Sequence, residues 1–137
     1  MTSSVARKTF HVLIVEDNPT MRLMVRAMLE RDPRLRVAAE AFNGVDAVGL
    51  VERLCPDAVI IGVQMPFMDG VTAVRLIKRV CPSTAVIMFS AVTASSFVQQ
   101  ALEAGADLYL SKTTPPAELA NAVIRVCMKG ARLSDTA

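Results

Sequence analysis

The stretch Pro56-Asp57-Ala58-Val59-Ile60-Ile61-Gly62-Val63-Gln64-Met65-Pro66-Phe67-Met68-Asp69-Gly70 decides the fold. Ala58 to Ile61 is a short apolar run with β-branched residues, the pattern of a strand buried on both faces of a parallel sheet. A glycine ends the run, a Pro-containing loop follows, and Asp69-Gly70 stands ahead of a helical pattern, so the chain turns sharply at the strand's carboxyl end. In open α/β sheets that edge is where ligands bind. Chemistry is therefore expected around Gly62, which has no functional group to offer.

Outward from this strand, the same alternation repeats. Phe10 to Val15 is a first strand with Glu16-Asp17 at its end, and Asn18-Pro19 opens a helix as N-cap and first helical residue. Met21, Met24, Val25 and Met28 recur at helical spacing and read as core filler. That helix ends near Arg31, Leu35 to Ala39 forms a second strand, and Asn43 caps a second helix. On the other side, Asp69 caps a third helix through Val71, Val74, Ile77 and Val80, and Ala85 to Phe89 forms a fourth strand. Thr93 or Ser95 caps a fourth helix that Gly105 terminates. Asp107 to Leu110 forms a fifth strand; Thr114 then caps a last helix, with Pro115 in its first turn, that Gly130 closes. Five βα units with short connections predict an α/β, flavodoxin-like (βα)5 doubly wound sandwich with a parallel sheet of order 2-1-3-4-5.

The domain boundaries expected are an N-terminal extension over 1–9, one compact domain over 10–130, and a tail or start of a linker over 131–137. With 137 residues, 53% of them hydrophobic, and a mean hydropathy of +0.41, the chain suits one sheet covered on both faces. No apolar run approaches the roughly 18 to 20 residues of a membrane span, and no signal-peptide pattern opens the chain, so a cytoplasmic location is expected. A net charge of +2 with dispersed basic residues argues against nucleic-acid contact by this segment. Arg75, Lys78 and Arg79 cluster on one helix and read as a solvated face.

Cys55, Cys81 and Cys127 lack CxxC spacing and are odd in number, which suggests neither a zinc site nor a disulfide framework. Buried or half-buried thiols in a reducing compartment are expected. Two of them share an internal echo, Arg53-Leu54-Cys55-Pro56 against Arg79-Val80-Cys81-Pro82, a repeated helix-to-strand turn; all three are expected at helix C-termini, away from the functional edge.

Sheet order brings Glu16, Asp17, Gly62, Ser90 and Lys112 to one edge although the sequence scatters them. Adjacent acids can hold a hard cation such as Mg²⁺ through oxygen. A hydroxyl and an ammonium can hydrogen-bond and neutralise phosphoryl oxygens. A nucleophile between them is missing.

Here the chain resembles, over essentially its whole length, the receiver domain of bacterial two-component response regulators. The motifs are Val12-Leu13-Ile14-Val15-Glu16-Asp17-Asn18-Pro19, Pro56-Asp57 through Met65-Pro66-Phe67-Met68-Asp69-Gly70, Ile87-Met88-Phe89-Ser90-Ala91, and Ala104-Gly105-Ala106-Asp107-Leu108-Tyr109-Leu110-Ser111-Lys112. The resemblance implies phosphorelay signal transduction rather than an enzyme. It assigns Glu16, Asp17 and the backbone carbonyl of Gln64 to the metal, Ser90 and Tyr109 to the switch, and Lys112 to the phosphoryl group. The phosphoacceptor aspartate falls at Gly62, so no acyl phosphate can form there, no catalytic residue is named, and Mg²⁺ is expected to bind only weakly. Asp57, at the opposite sheet edge, and Asp69, a helix cap, are poor substitutes. The segment Leu110 to Leu119 looks like the subclass whose receivers precede a helix-turn-helix DNA-binding domain.

Three readings follow. The first is a degenerate receiver acting through phosphorylation-independent protein contacts, with a histidine kinase, an output domain or another signalling protein as partner and a homodimer left open. Its contact face is the fourth helix, fifth strand and fifth helix, with Phe97, Val98 and Tyr109 as candidates. The second is a conventional phosphorylatable receiver of a transcriptional regulator in which Gly62 is a natural or introduced substitution. The third, a flavin or nucleotide binder, lacks the Gly-rich phosphate loop after the first strand.

Overall fold

The structure, a computed structural model, describes residues 9–63 and 65–136, with side chains described as far as Lys129. The expected residues 1–8 of the N-terminal extension, and Gln64 with its carbonyl, lie outside the described residues. Strands β1 (Phe10–Val15), β2 (Leu35–Ala41), β3 (Ala58–Ile61), β4 (Ala85–Ser90) and β5 (Leu108–Ser111) alternate with helices α1 (Pro19–Glu30), α2 (Gly44–Leu54), α3 (Gly70–Val80), α4 (Ser95–Ala104) and α5 (Pro116–Thr136). All pairings are parallel and the sheet order is β2-β1-β3-β4-β5, the flavodoxin-like arrangement the alternation predicts.

The two-residue period of the strands divides the core. Val12, Ile14, Ile60, Ile87 and Phe89 pack with Val25 and Leu29 of α1 and Leu119 and Val123 of α5. Leu13, Val15, Val59, Ile61, Val86 and Met88 face Val51 of α2, Val74 and Ile77 of α3 and Ala101 of α4 on the other side. Because β3 and β4 are covered on both faces, every residue of each is buried. Continuous apolar runs are what that environment selects.

Three caps follow the sequence: the side-chain oxygens of Asn18, Asn43 and Asp69 accept the backbone N–H of Met21, Asp46 and Thr72 respectively. Other expectations need correction. Neither Thr93 nor Ser95 caps α4, whose N-cap is Ala94 with no side-chain hydrogen bond. The last helix begins one residue later than Thr114 would place it, with the Leu119 N–H bonded to the Pro115 carbonyl. It also runs through Gly130 to Thr136, so Cys127 lies inside a helix rather than at its end. Asp107 precedes β5 instead of joining it: its Oδ2 accepts the Val86 N–H at 2.8 Å and pairs with Lys78 Nζ at 2.7 Å. Lys78 also donates to the Thr84 carbonyl, so it leaves the solvated face assigned to it.

The cysteines are the largest correction. Cys55 and Cys81 form a disulfide, with Cα atoms 5.9 Å apart, while Cys127 is buried outside it. Spacing and parity report on local motifs; this pairing arises because both residues close helix-to-strand turns that feed neighbouring strands, β3 and β4.

Candidate functional site at the carboxyl edge of the sheet

Register brings the scattered residues together. Val15 pairs with Ile61 and the Gly62 N–H donates to the Val15 carbonyl at 3.2 Å, so Glu16 and Gly62 leave adjacent strand ends side by side. Ser90 pairs with Ser111, and the Lys112 N–H donates to the Ser90 carbonyl at 3.0 Å. The loop after β3 is shaped by Gly70. A Cβ on Gly70 would stand 2.5 Å from the Gly62 carbonyl oxygen and 3.0 Å from Val63 Cα, so only glycine lets α3 start this close to the pocket floor.

Glu16 is the buried acid of the pair, at 7% exposure, and Asp17 is exposed. Burial of a carboxylate demands partners, and Glu16 has two. Its Oε1 lies 3.5 Å from Lys112 Nζ, and its Oε2 accepts the Asn18 N–H at 3.1 Å. The same carboxylate lies over Gly62: an added Cβ there would be 3.1 Å from Glu16 Oε1. Lys112 thus reaches across the glycine to an acid on β1's end.

Ser90 is buried, and its hydroxyl oxygen accepts the Val92 N–H at 3.0 Å. Half-buried Tyr109 donates its hydroxyl to the Val92 carbonyl and meets Phe97 edge-on, with ring centroids 6.2 Å apart. Val92, two residues past β4, is therefore held from both sides, by the Ser90 hydroxyl and the Tyr109 hydroxyl. Val98 is half-buried. Asp57 and Asp69 are away from this cluster: Asp57 accepts the His11 N–H at the opposite edge, and Asp69 caps α3.

Sequence reasoning missed three residues. Arg22 donates to the Glu16 carbonyl at 2.8 Å, pairs with Glu40 at 3.2 Å and stacks its guanidinium 4.1 Å from the Phe42 ring centroid. Its only sequence signal is a position one turn into the helix that Asn18 caps. Val92 carries no chemical signal, because its backbone does the bonding. Phe67 is 86% exposed with φ 71°, at the centre of a three-residue turn closed by Met68 N–H to the Pro66 carbonyl. A Pro-Phe-Met loop announces a turn but not which residue bears the left-handed angle.

A 2-1-3-4-5 sheet that gathers two adjacent acids, a hydroxyl and a lysine at its carboxyl edge is a doubly wound domain whose pocket has residue types able to bind a phosphoryl group. Residues 12–124 match the model of the response regulator receiver domain. The chain is 38% identical over 124 residues to the nitrate/nitrite response regulator protein NarP of Escherichia coli (strain K12), an alignment covering 90% of this chain and 57% of NarP. It is 41% identical over 105 residues to a protein-glutamate methylesterase/protein-glutamine glutaminase of Pseudoalteromonas atlantica, covering 75% of this chain and 27% of that protein. Its structure superposes with a TM-score of 0.84 on the signal receiver domain of the response regulator NarL from Mycobacterium tuberculosis, at 29% identity, covering 88% of this chain and 98% of that one. The chain belongs to the response regulator receiver domain family, and is the receiver domain of a two-component response regulator. It spans about half or less of the length of these curated relatives.

Receiver domains bind Mg²⁺ at the phosphorylation site. Mg²⁺ demands near-octahedral oxygen coordination and dehydrates reluctantly. Glu16 and the exposed Asp17 are the oxygen donors that would hold the cation, and at Glu16 it would compete with the Lys112 ammonium and the Asn18 N–H already on that carboxylate.

Proposed function

We propose that this receiver is degenerate at the phosphoacceptor position, Gly62, and signals through phosphorylation-independent protein contacts. The observation that carries this reading is the Glu16 carboxylate lying over Gly62 and paired with Lys112 at 3.5 Å. Lys112, which the family resemblance assigns to the phosphoryl group, has a carboxylate partner without an aspartate on β3. Ser90 and Tyr109 retain the switch assignment, and their shared hold on Val92 gives α4's entry one defined arrangement. On this reading the chain is not an enzyme. It works in the cytoplasm against a histidine kinase, an output domain or another signalling protein through α4, β5 and α5, where Phe97, Val98 and Tyr109 are half-buried; a second copy is the other occupant to be tested. The segment makes no direct nucleic-acid contact.

A second reading keeps phosphotransfer and treats Gly62 as a substitution. One observation favours it: Gly62 does not adopt a left-handed φ, so its backbone suits an ordinary side chain. Treatment with a small phosphodonor and Mg²⁺ separates the readings. The degenerate receiver takes up no phosphoryl group, and phosphorylation of the wild-type chain would overturn it. Gly62→Asp provides the second arm: Mg²⁺-dependent uptake there supports the substitution reading of an otherwise intact site, and no uptake removes it.

A further inference from the structure

We propose that Cys55 and Cys81 form a reversible thiol–disulfide site, entered through Cys55, at the sheet edge opposite the phosphoryl-type pocket. The two Cα atoms stand 5.9 Å apart, within the range a disulfide spans without backbone movement. Cys55 is an exposed residue and Cys81 is 3% exposed, so entry from solution is assigned to Cys55. Cys55 is also the C-cap of α2 with φ 41°, a left-handed position that glycine or asparagine ordinarily holds. The Ser83 hydroxyl oxygen lies 3.5 Å from Cys81 Sγ, giving the buried sulfur a polar neighbour.

Asymmetric access sets the order of steps. In the oxidising direction the Cys55 thiolate attacks a low-molecular-weight disulfide, RSSR; its S–S bond breaks, one RS⁻ leaves and a Cys55–SR mixed disulfide forms. Cys81, its proton lost to solvent, attacks the Cys55 sulfur and displaces the second RS⁻. Two protein thiols are oxidised while RSSR is reduced to two RSH. In the reducing direction a small thiolate attacks the exposed Cys55 sulfur and Cys81 leaves as thiolate, taking a proton from solvent; a second thiolate then frees Cys55 and restores RSSR.

The location gives the site a consequence. The two cysteines are 26 residues apart, and the loop they close contains β3, Gly62, the Phe67 turn and α3. Oxidation therefore restrains, from the opposite edge of the sheet, the segment that forms the floor of the pocket. This inference stands whether or not Gly62 carries signalling.

The test equilibrates the full chain with glutathione across reducing to oxidising ratios, then quenches by alkylation and maps the peptides by mass. The expected result is reversible interconversion between a linked Cys55–Cys81 peptide pair and two alkylated cysteines, in a form whose oligomeric state does not change. The linked form should melt about 10 °C higher and protect amides in the β3–α3 loop from exchange. Cys81→Ser should retain glutathione on Cys55, whereas Cys55→Ser should leave Cys81 unmodified. Alkylation of both residues at the most oxidising ratio, linkage between two chains, or glutathione on Cys81 in Cys55→Ser would each overturn the proposal. Mapping of the wild-type chain decides the matter even if a variant fails to fold.

Discussion

Gly62 and Gly70 are both glycines at the pocket floor, yet they stand there for different reasons. An added Cβ on Gly62 meets only the Glu16 carboxylate among the described residues, the far end of a side chain that can yield. An added Cβ on Gly70 meets the Gly62 carbonyl at 2.5 Å, which cannot yield without moving the loop. Gly62→Ala should therefore change stability by less than about 1 kcal/mol, whereas Gly70→Ala should cost about 2 kcal/mol, both read by urea unfolding. Phe67 presents the reverse case, a bulky residue at φ 71° that is 86% exposed. Phe67→Gly should stabilise the fold by about 1 kcal/mol, since the left-handed penalty disappears and almost no packing is lost. A destabilised variant in the same unfolding measurement would show that the ring has contacts that matter. None of these distinctions is visible in the sequence, where glycine and turn residues look alike.

At the scale of elements, helix ends differ most. Asp69 caps α3 with hydrogen bonds from the Thr72 N–H and hydroxyl, and the Thr72 N–H, foremost, holds its carboxyl below the ordinary aspartate range. A depressed folded-state pKa means that the stabilisation is present above the unfolded pKa and is lost as pH falls through the folded one. Asp69→Ala should cost about 1 kcal/mol at neutral pH, and its unfolding free energy should converge on that of wild type in strong acid. A constant difference across that range would assign the effect to something other than the carboxylate. Helix α4 lacks any such bond, although Ala94 stands at the N-cap with non-helical angles, φ −59° and ψ 129°. Ala94→Ser should raise the unfolding free energy by about 1 kcal/mol. Thr93 and Ser95 suggested themselves as caps because capping residue types crowd that segment. Which one occupies the N-cap depends on where β4 ends and the chain turns, and that the local pattern does not contain.

For the whole molecule, the pocket's charge is set by parts from every βα unit that reaches it. Glu16 from the end of β1, Gly62 from β3 and Lys112 from β5 meet only because strands 1, 3, 4 and 5 are neighbours. A ligand that binds only the folded state raises the melting temperature in proportion to its affinity. Millimolar Mg²⁺ should leave the melting temperature of the wild-type chain unchanged and raise that of Gly62→Asp, where a further carboxylate joins Asp17. An equal shift in both would mean that the cation does not use this pocket. The periodicity of the chain determined its elements and their order: apolar runs bounded by turn residues can be satisfied only as strands covered on both faces, and short βα connections leave few topologies. The tertiary structure alone decided that Cys55 meets Cys81, that Arg22 braces the Glu16 carbonyl, and that Glu16 reaches over Gly62 to Lys112. Periodicity is a one-dimensional property of neighbours in the chain. Those contacts depend on register, side-chain direction and the packing of residues distant in sequence, which exist only once the sheet has formed.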